Sequence, residues 1–271
     1  MRVLMKDLKE ITVLVTRPGD QAGHFIDMIN SNNGTAINLP TIDIAASPLN
    51  DEQKKKLHNL SEVNIVIFVS VNAVNYALKA LKSLKLTFPE NLIVAAVGPS
   101  TAGALQENNL QVDIVPENDF SSEGLLAMPE LDEIAGEKIL IFKGQYGREL
   151  LRSELMDRYA EVESIECYQR VIPNVDIKPI IKSLKAGSIN AVTATSVSGI
   201  SNLFEMFGKH GELLTDVPFV VASGRIAEVC EDYEIKNTTI ADNAGDKAML
   251  EALSELANWV TITEDDEEEE L

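Results

Sequence analysis

The sequence has few of the residues that build metal centres or disulfide scaffolds. Its 271 residues include only two cysteines and three histidines. Cys167 and Cys230 lie far apart and outside any CxxC spacing, which favours two reduced thiols over a disulfide or a zinc site. The histidines are equally scattered, so we expect no protein-built metal site.

Long apolar runs and clustered positive charge are also missing. No stretch reaches the roughly eighteen uninterrupted apolar residues that a membrane helix needs, and the N-terminus lacks a cleavage-like signal. The formal net charge is −20, whereas a nucleic-acid interface would need clustered Lys and Arg. We therefore expect a cytoplasmic protein that contacts neither membranes nor nucleic acid.

Part of the negative charge is confined to the C-terminus, where Glu264 to Glu270 is acidic throughout. Like charges in such a run repel one another and favour a solvated chain. Residues 264–271 are therefore predicted to form a disordered acidic tail, and the run indicates nothing about catalysis.

What the sequence does contain is a regular alternation of apolar strands and helical patterns, which is typical of a parallel α/β sheet. The segment Lys138 to Pro173 shows the unit most clearly. An apolar strand at Ile139 to Phe142 leads through a glycine-containing turn into helical spacing, and a second strand follows at Val162 to Val171. Further strands are predicted at Thr12–Thr16, Asn64–Val69, Leu92–Val97, Val112–Val115, Ala191–Ala194, Phe219–Ala222 and Thr238–Ala241.

The same plan occurs twice along the chain. FVSVNAVNYALKAL, which begins at Phe68, parallels ATSVSGISNLFEMF, which begins at Ala194, and an internal repeat predicts two similar domains. The first strand and helix best complete the later copy, which gives one domain from 1–36 plus 174–263 and a second from 45–165. The chain then crosses twice, at 37–44 and 166–173, and we expect these extended segments to pair as a two-stranded hinge.

Six of the predicted strands end in small or polar loops that open helices. In a parallel sheet such loops share the edge where ligands bind, and their free N–H groups attract anions. We expect the loops to face one cleft and to hold an anionic ligand, although each Ser or Thr could equally be an ordinary helix N-cap. The loops are Arg17-Pro18-Gly19, Ser70-Val71-Asn72, Gly98-Pro99-Ser100-Thr101, Lys143-Gly144-Gln145, Thr195-Ser196-Val197 and Ser223-Gly224-Arg225.

Several familiar reaction motifs are absent. Neither GxGxxG nor GxxxxGK[ST] follows the first strand, so the sequence does not indicate a nicotinamide enzyme or a nucleoside triphosphatase. No GxSxG is present, so it does not indicate a serine hydrolase either. No residue pattern names a reaction by itself. A non-catalytic, two-lobed protein that binds or senses an anionic ligand would show the same loops, and this alternative stays open.

An ordered set of motifs resembles the uroporphyrinogen-III synthase family over nearly the whole chain. Two departures are visible: Ser223-Gly224-Arg225-Ile226 lacks the threonine common in this loop of many members, and the acidic tail has no counterpart. The motifs are VTRP at Val15–Pro18, FVSVNAV at Phe68–Val74, VAAVGPSTA at Val94–Ala102, SSEGLL at Ser121–Leu126, FKGQYGRELL at Phe142–Leu151, ECYQRVIP at Glu166–Pro173 and TATSVSGISNL at Thr193–Leu203.

The resemblance implies an α/β fold of two Rossmann-like (flavodoxin-like) parallel-sheet domains joined by a two-stranded β linker. It implies a lyase that cyclises hydroxymethylbilane, with loss of water and inversion of ring D, to uroporphyrinogen III in tetrapyrrole biosynthesis. No cofactor is implied. We expect a monomer, which can receive its substrate in a transient hand-over from hydroxymethylbilane synthase.

The resemblance also assigns roles to individual residues. Tyr168 matches a recurring tyrosine of the family and is our candidate for the catalytic acid, although it could instead be a structural plug of the linker. Arg17, Lys143 and Arg148 are expected to pair with substrate carboxylates, the alternative for Arg148 being a salt bridge to Glu149 or Glu154. The remaining substrate-binding candidates offer hydroxyls or helix-opening backbone: Ser70, Gly98, Ser100, Thr101, Gly144, Thr195, Ser196, Ser223 and Gly224.

Overall fold

The computed structural model describes residues 8–9, 11–147 and 149–256. The predicted acidic tail at 264–271 lies outside this part of the chain. Two compact units are present. Unit 1 consists of Met1–Asp43 and Val171–Leu271, and unit 2 consists of Ile44–Arg170.

The strands and helices alternate along most of the chain, as predicted. The strands are β1 (Thr12–Val15), β2 (Thr35–Asn38), β3 (Asp43–Ala46), β4 (Ile65–Phe68), β5 (Ile93–Ala96), β6 (Lys138–Gly144), β7 (Glu161–Val171), β8 (Ala191–Ala194), β9 (Phe219–Val221) and β10 (Thr238–Ile240). The helices are α1 (Gly19–Ser31), α2 (Asp51–His58), α3 (Val71–Leu84), α4 (Pro99–Glu107), α5 (Ser122–Leu126), α6 (Leu150–Asp157), α7 (Lys178–Lys185), α8 (Val197–Phe207), α9 (Glu212–Thr215), α10 (Gly224–Asp232) and, within the described residues, α11 (246–256).

Unit 1 is built on a five-stranded sheet in the order β2-β1-β8-β9-β10. All neighbouring strands of this sheet are parallel. Its central strands are apolar at successive positions, so each buries side chains on both faces. Leu14 and Val192 belong to the core on one face, whereas Val13 and Val15 belong to the core on the other.

Unit 2 is built on a second five-stranded sheet, in the order β3-β7-β6-β4-β5. The pairs from β7 to β5 are parallel. Phe68 of β4 and Phe142 of β6 stack at a ring-centroid distance of 4.9 Å on one face of this sheet. Ile67 and Ile141 pack on the opposite face.

The predicted internal repeat is confirmed by the strand order. The row β2-β1-β8-β9 of unit 1 corresponds to the row β7-β6-β4-β5 of unit 2, strand for strand, in the pairing that the sequence comparison indicates. If the strands of unit 1 are numbered in chain order, β1 and β2 are strands 1 and 2, and β8, β9 and β10 are strands 3, 4 and 5. The order across the sheet is then 2-1-3-4-5, which is the arrangement of flavodoxin-like sheets. The order reverses between β1 and β8 in unit 1 and between β4 and β6 in unit 2, and such switch points are where these folds bind ligands.

One expectation about strands needs correction, and another is not confirmed. Residues 112–115 do not form a strand, because only Ile114 makes an isolated bridge to Ala95. The Asp113 carboxylate accepts the backbone N–H of Val94 at 2.9 Å, and Pro116 has no N–H with which to extend a ladder. A separate two-stranded linker is also not confirmed, since β3 lies beside β7 as the outermost strand of unit 2's own sheet.

In the described part of the chain, no helix combines the length and the apolar character that crossing a bilayer demands.

Candidate active site

The switch point of unit 2 is marked by a serine that begins a helix. Ser70 lies two residues after the end of β4 and has extended backbone, and its Oγ accepts the backbone N–H of Ala73 at 3.1 Å. The bond satisfies one of the N–H groups that the first turn of α3 leaves without a helical partner. The N-cap alternative is therefore confirmed for this residue, and the Ser70 hydroxyl still has a proton to donate.

A tyrosine from β7 lies at the same point. The Tyr168 Oη is 3.1 Å from Ser70 Oγ, although the two residues are far apart in sequence. The pairing of β6 with β7 shifts register between Lys143 and Gly144, so that Gly144 pairs with Tyr168 rather than with Cys167. Since such irregularities turn a side chain toward a new direction, both Cys167 and the Tyr168 ring contact the same core.

Gly144 lies directly under the Tyr168 ring. A Cβ atom at Gly144 would be 2.6 Å from two ring carbons of Tyr168, Cε2 and Cζ. The ring of Tyr76 lies on the core side, 6.1 Å from the Tyr168 ring between centroids, and the Tyr76 hydroxyl donates to the Ile44 carbonyl. The half-buried Tyr168 is thus held by Gly144, Ser70 and Tyr76.

Lys143 is buried at the end of β6, but its charge is not free. Its ammonium group forms an ion pair with Glu149, whose side chain is 62% exposed. The hydrogen bond from Lys143 lowers the pKa of the Glu149 carboxyl, and burial opposes this effect only in part. Lys143 borders a cavity of about 160 Å³, which Val69, Ser122 and Leu151 also line.

The third loop of unit 2 opens α4. Gly98 is the N-cap of α4 and is buried against the side chain of Phe120, and Pro99 takes the first helical position. Ser100 is exposed and Thr101 is buried within the first turn. Phe120 itself is 55% exposed, an aromatic side chain at the ligand edge that sequence reasoning missed.

Unit 1 has its buried cation at the corresponding place, just after β1. Arg17 forms an ion pair with Asp246 and donates to the Ala244 carbonyl at 2.7 Å. Its guanidinium lies 4.7 Å from the centroid of the Phe25 ring, a favourable cation–π distance. Arg17 therefore ties the start of α11 to β1 and α1.

Asp246 receives a second contact from His24, whose Nδ1 lies 2.5 Å from Asp246 Oδ2. Burial alone would raise the pKa of Asp246, but the hydrogen bonds to His24 and Arg17 outweigh it and lower that pKa. Nothing in the spacing of the sequence links residues 17 and 246, so this partner could not be predicted.

The serines and threonine of unit 1 differ in how they meet the helices that follow. Ser196 caps α8, its Oγ accepting the Gly199 N–H at 3.0 Å, and the half-buried Thr195 lies between β8 and this cap. Ser223 occupies the N-cap position of α10 without a side-chain cap bond. Ser223 and Gly224 are both exposed.

The structure therefore brings Ser70, Gly144 and Tyr168 together in unit 2, and gives Arg17 and Lys143 acidic partners from the chain itself. Arg148 lies outside the described residues. The two thiols contribute no nucleophile, because burial raises the pKa of Cys167 to about 12 and that of Cys230 to about 11.

Fold and site together define an α/β protein of two flavodoxin-like units, with hydroxyl side chains at the edge where such folds bind ligands. The family model described as "Uroporphyrinogen-III synthase HemD" matches residues 24–251. The chain belongs to the uroporphyrinogen-III synthase family.

Individual relatives agree with this assignment. The uroporphyrinogen-III synthase of Escherichia coli (strain K12) is 29% identical over 245 residues, which cover 90% of this chain and 100% of that protein. A putative uroporphyrinogen-III synthase of Methanothermobacter thermautotrophicus is 31% identical over 206 residues, covering 75% of this chain and 80% of that protein. The crystal structure of a mutant uroporphyrinogen III synthase from Thermus thermophilus shares the fold, with a TM-score of 0.53 at 19% identity, and the match covers 92% of this chain and 99% of that one.

Proposed function

We propose that the chain is a cyclising hydro-lyase that converts hydroxymethylbilane into uroporphyrinogen III, the step of tetrapyrrole biosynthesis that precedes haem, sirohaem and cobalamin. The observation that carries the proposal is the family match over residues 24–251. The hydroxyl pair of Tyr168 and Ser70 at a switch point supports it, since the reaction needs a proton donor where the ligand binds.

The proposed reaction begins with departure of the terminal hydroxyl, which takes up a proton and leaves as water. The resulting azafulvene carbon bonds to the substituted carbon of ring D and forms a spiro intermediate. This intermediate reopens and recloses with ring D inverted, and a ring proton is released as the macrocycle forms. Atoms balance with water as the only by-product, and no oxidant, reductant or cofactor enters.

In this mechanism Tyr168 donates its phenolic proton to the departing hydroxyl and regains a proton when ring closure releases one. A positioned acid typically contributes about 10² to 10⁴ in rate. Because hydroxymethylbilane can close without inversion when left alone, holding ring D in the attacking geometry is the larger task.

The substrate carries many carboxylates, and the proposed binding groups are cations, hydroxyls and helix starts. Arg17, Lys143 and Arg148 would pair with carboxylates, so Asp246 and Glu149 would give up part of their contact with Arg17 and Lys143 when substrate binds. The other proposed contacts come from Ser70, Gly98, Ser100, Thr101, Gly144, Thr195, Ser196, Ser223 and Gly224.

The organisation around this chemistry is proposed in the same way. The two units act as domains with a hinge where the chain crosses near residues 37–44 and 166–173. The protein works as a cytoplasmic monomer, and transient contact with hydroxymethylbilane synthase shortens the exposure of an unstable substrate.

The test is a product analysis. Hydroxymethylbilane is generated enzymatically, mixed with the protein, oxidised and separated into porphyrin isomers. Type III porphyrin in excess over a protein-free control is expected. Type I porphyrin alone would contradict the proposal, and tight binding of hydroxymethylbilane without turnover would then favour the binding or sensor alternative.

A further inference from the structure

We propose that Gly144 and Ser70 are positioning residues for Tyr168: Gly144 sets where the phenol ring lies, and Ser70 sets where its O–H points. The inference rests on the proposed function and gives a second role to two residues proposed to contact substrate. In this role they act on the reaction through the tyrosine.

The argument for Gly144 is steric. Tyr168 leaves β7, and its side chain crosses β6 at Gly144 to reach Ser70 beyond β4, since the strands lie in the order β7-β6-β4. A methyl group at Gly144 would be 2.6 Å from ring carbons Cε2 and Cζ and 3.0 Å from the hydroxyl oxygen. Because Gly144 has no positive φ, its lack of a Cβ serves the passage of this ring rather than an unusual backbone conformation.

The register shift supports the same role. If β6 and β7 stayed in register beyond Lys143, Gly144 would pair with Cys167, and Tyr168 would lie on the opposite face of the strand. The irregularity instead places Cys167 and the Tyr168 ring on one core. Two independent features of the backbone, the shift and the glycine, thus direct the ring to one place.

The argument for Ser70 concerns which of the two hydroxyl groups donates the hydrogen bond between Ser70 and Tyr168. Ser70 Oγ already accepts the Ala73 N–H at 3.1 Å, which fixes its rotamer. Its own proton can then be donated to Tyr168 Oη, 3.1 Å away. If Ser70 is the donor, the O–H of Tyr168 does not bond to Ser70 and can point toward the leaving hydroxyl of the substrate.

The first experiment replaces Gly144 by Ala and measures kcat, KM and the ratio of type III to type I product. We expect kcat to fall on the order of a hundredfold, as misplacement of a reacting group by about 1 Å can do, with more type I product and little change in KM. Gly103→Ala is the matched control, because a Cβ there meets nothing within 4 Å. Equal activity of the two variants would overturn the role of Gly144.

The second experiment guards against simple unfolding. In a Tyr168→Ala background the ring is gone, so Gly144→Ala should cause no further loss of activity or of urea-unfolding midpoint. A further loss of similar size in that background would show that Gly144 acts independently of Tyr168.

Ser70 is tested against another cap of the same unit. Ser70→Ala and Ser121→Ala each remove an N-cap hydroxyl whose Oγ accepts a backbone N–H at 3.1 Å. Only the Ser70 variant should lose kcat, on the order of tenfold, and Ser70→Thr should restore it. Equal kcat for the two Ala variants would overturn the role of Ser70.

These outcomes are separable from failure of the proposed function. If the unaltered protein makes no type III product, the function fails and the tyrosine has no such reaction to serve. If it makes type III product while Gly144→Ala and Ser70→Ala match their controls, only the positioning roles fail.

Discussion

Units 1 and 2 repeat one sheet and one set of loops, yet they use equivalent positions differently. Ser196 caps α8 as Ser70 caps α3, and Arg17 lies just after β1 much as Lys143 lies near the end of β6. Beside Ser70, however, stands a half-buried tyrosine, whereas the corresponding edge of unit 1 carries Thr41, which is fully buried.

The hydroxyl of Thr41 is occupied, because it donates to the Thr16 carbonyl at 3.2 Å. Pro18 follows Arg17 in unit 1, where unit 2 has Gly144 after Lys143. The duplicated scaffold therefore supplies caps and cations to both units, while unit 2 has room for the ring of Tyr168 over Gly144.

The largest effect should come from removing the hydroxyl that distinguishes unit 2. Tyr168→Phe is expected to leave the fold intact and to reduce the rate of type III formation by about 10² to 10⁴, measured by isomer separation. Thr41→Val in unit 1 is the counterpart and should keep the rate. A Tyr168→Phe variant with unchanged rate and isomer ratio would make Tyr168 a structural residue.

The two buried cations should differ in what they contribute to stability. Arg17→Met removes charged hydrogen bonds to Asp246, which is 23% exposed, and should lower the free energy of unfolding by about 2 kcal/mol. Lys143→Met removes a bond to the mostly exposed Glu149, so a loss below about 1 kcal/mol is expected. Urea unfolding measures both, and equal losses would refute this distinction.

The ion pair between Arg17 and Asp246 should also make the free energy of unfolding depend on pH. The folded-state pKa of Asp246 is lowered, so its stabilising effect is present above about pH 4, the ordinary range for Asp, and is lost as pH falls through the lowered value. Unfolding curves of the unaltered protein and of Asp246→Asn should differ near pH 7 and converge in acid. A gap that persists or widens below about pH 3 would contradict the ion-pair explanation.

The smallest effects concern the helix caps of unit 1. Ser196→Ala should lower the free energy of unfolding by about 1 kcal/mol, because the hydrogen bond from the Gly199 N–H is lost. Ser223→Ala should change stability by less than about 0.5 kcal/mol, since Ser223 makes no side-chain cap bond. Comparable losses in thermal unfolding would indicate that the Ser223 hydroxyl also caps α10.

Local patterns were enough to predict the repeat, the parallel sheets and the caps at Ser70 and Ser196, because strand periodicity and N-cap chemistry act over a few residues. The strand expected at 112–115 failed because a side chain, Asp113, took over one ladder hydrogen bond. The position of β3 at the edge of unit 2's sheet, beside β7, was not predictable, because the extended pattern of residues 37–44 does not show which strand they pair with.

The contacts within the site are less accessible to such reasoning. The partnership of Arg17 with Asp246 joins opposite ends of the chain, and the passage of Tyr168 over Gly144 depends on a register shift that no motif announces. The sequence suggests Glu149 as a partner of Arg148, whereas the structure pairs it with Lys143.

The position of β3 has a consequence for the order of folding. The strand by which the chain enters unit 2 and the strand by which it leaves are hydrogen-bonded neighbours in one sheet. Once unit 2 has formed, the two separated pieces of unit 1 are tethered about one strand spacing apart, rather than through a long flexible loop whose closure costs entropy. Once folded, unit 2 can therefore hold the two pieces of unit 1 close together, which lowers the entropic cost of assembling unit 1.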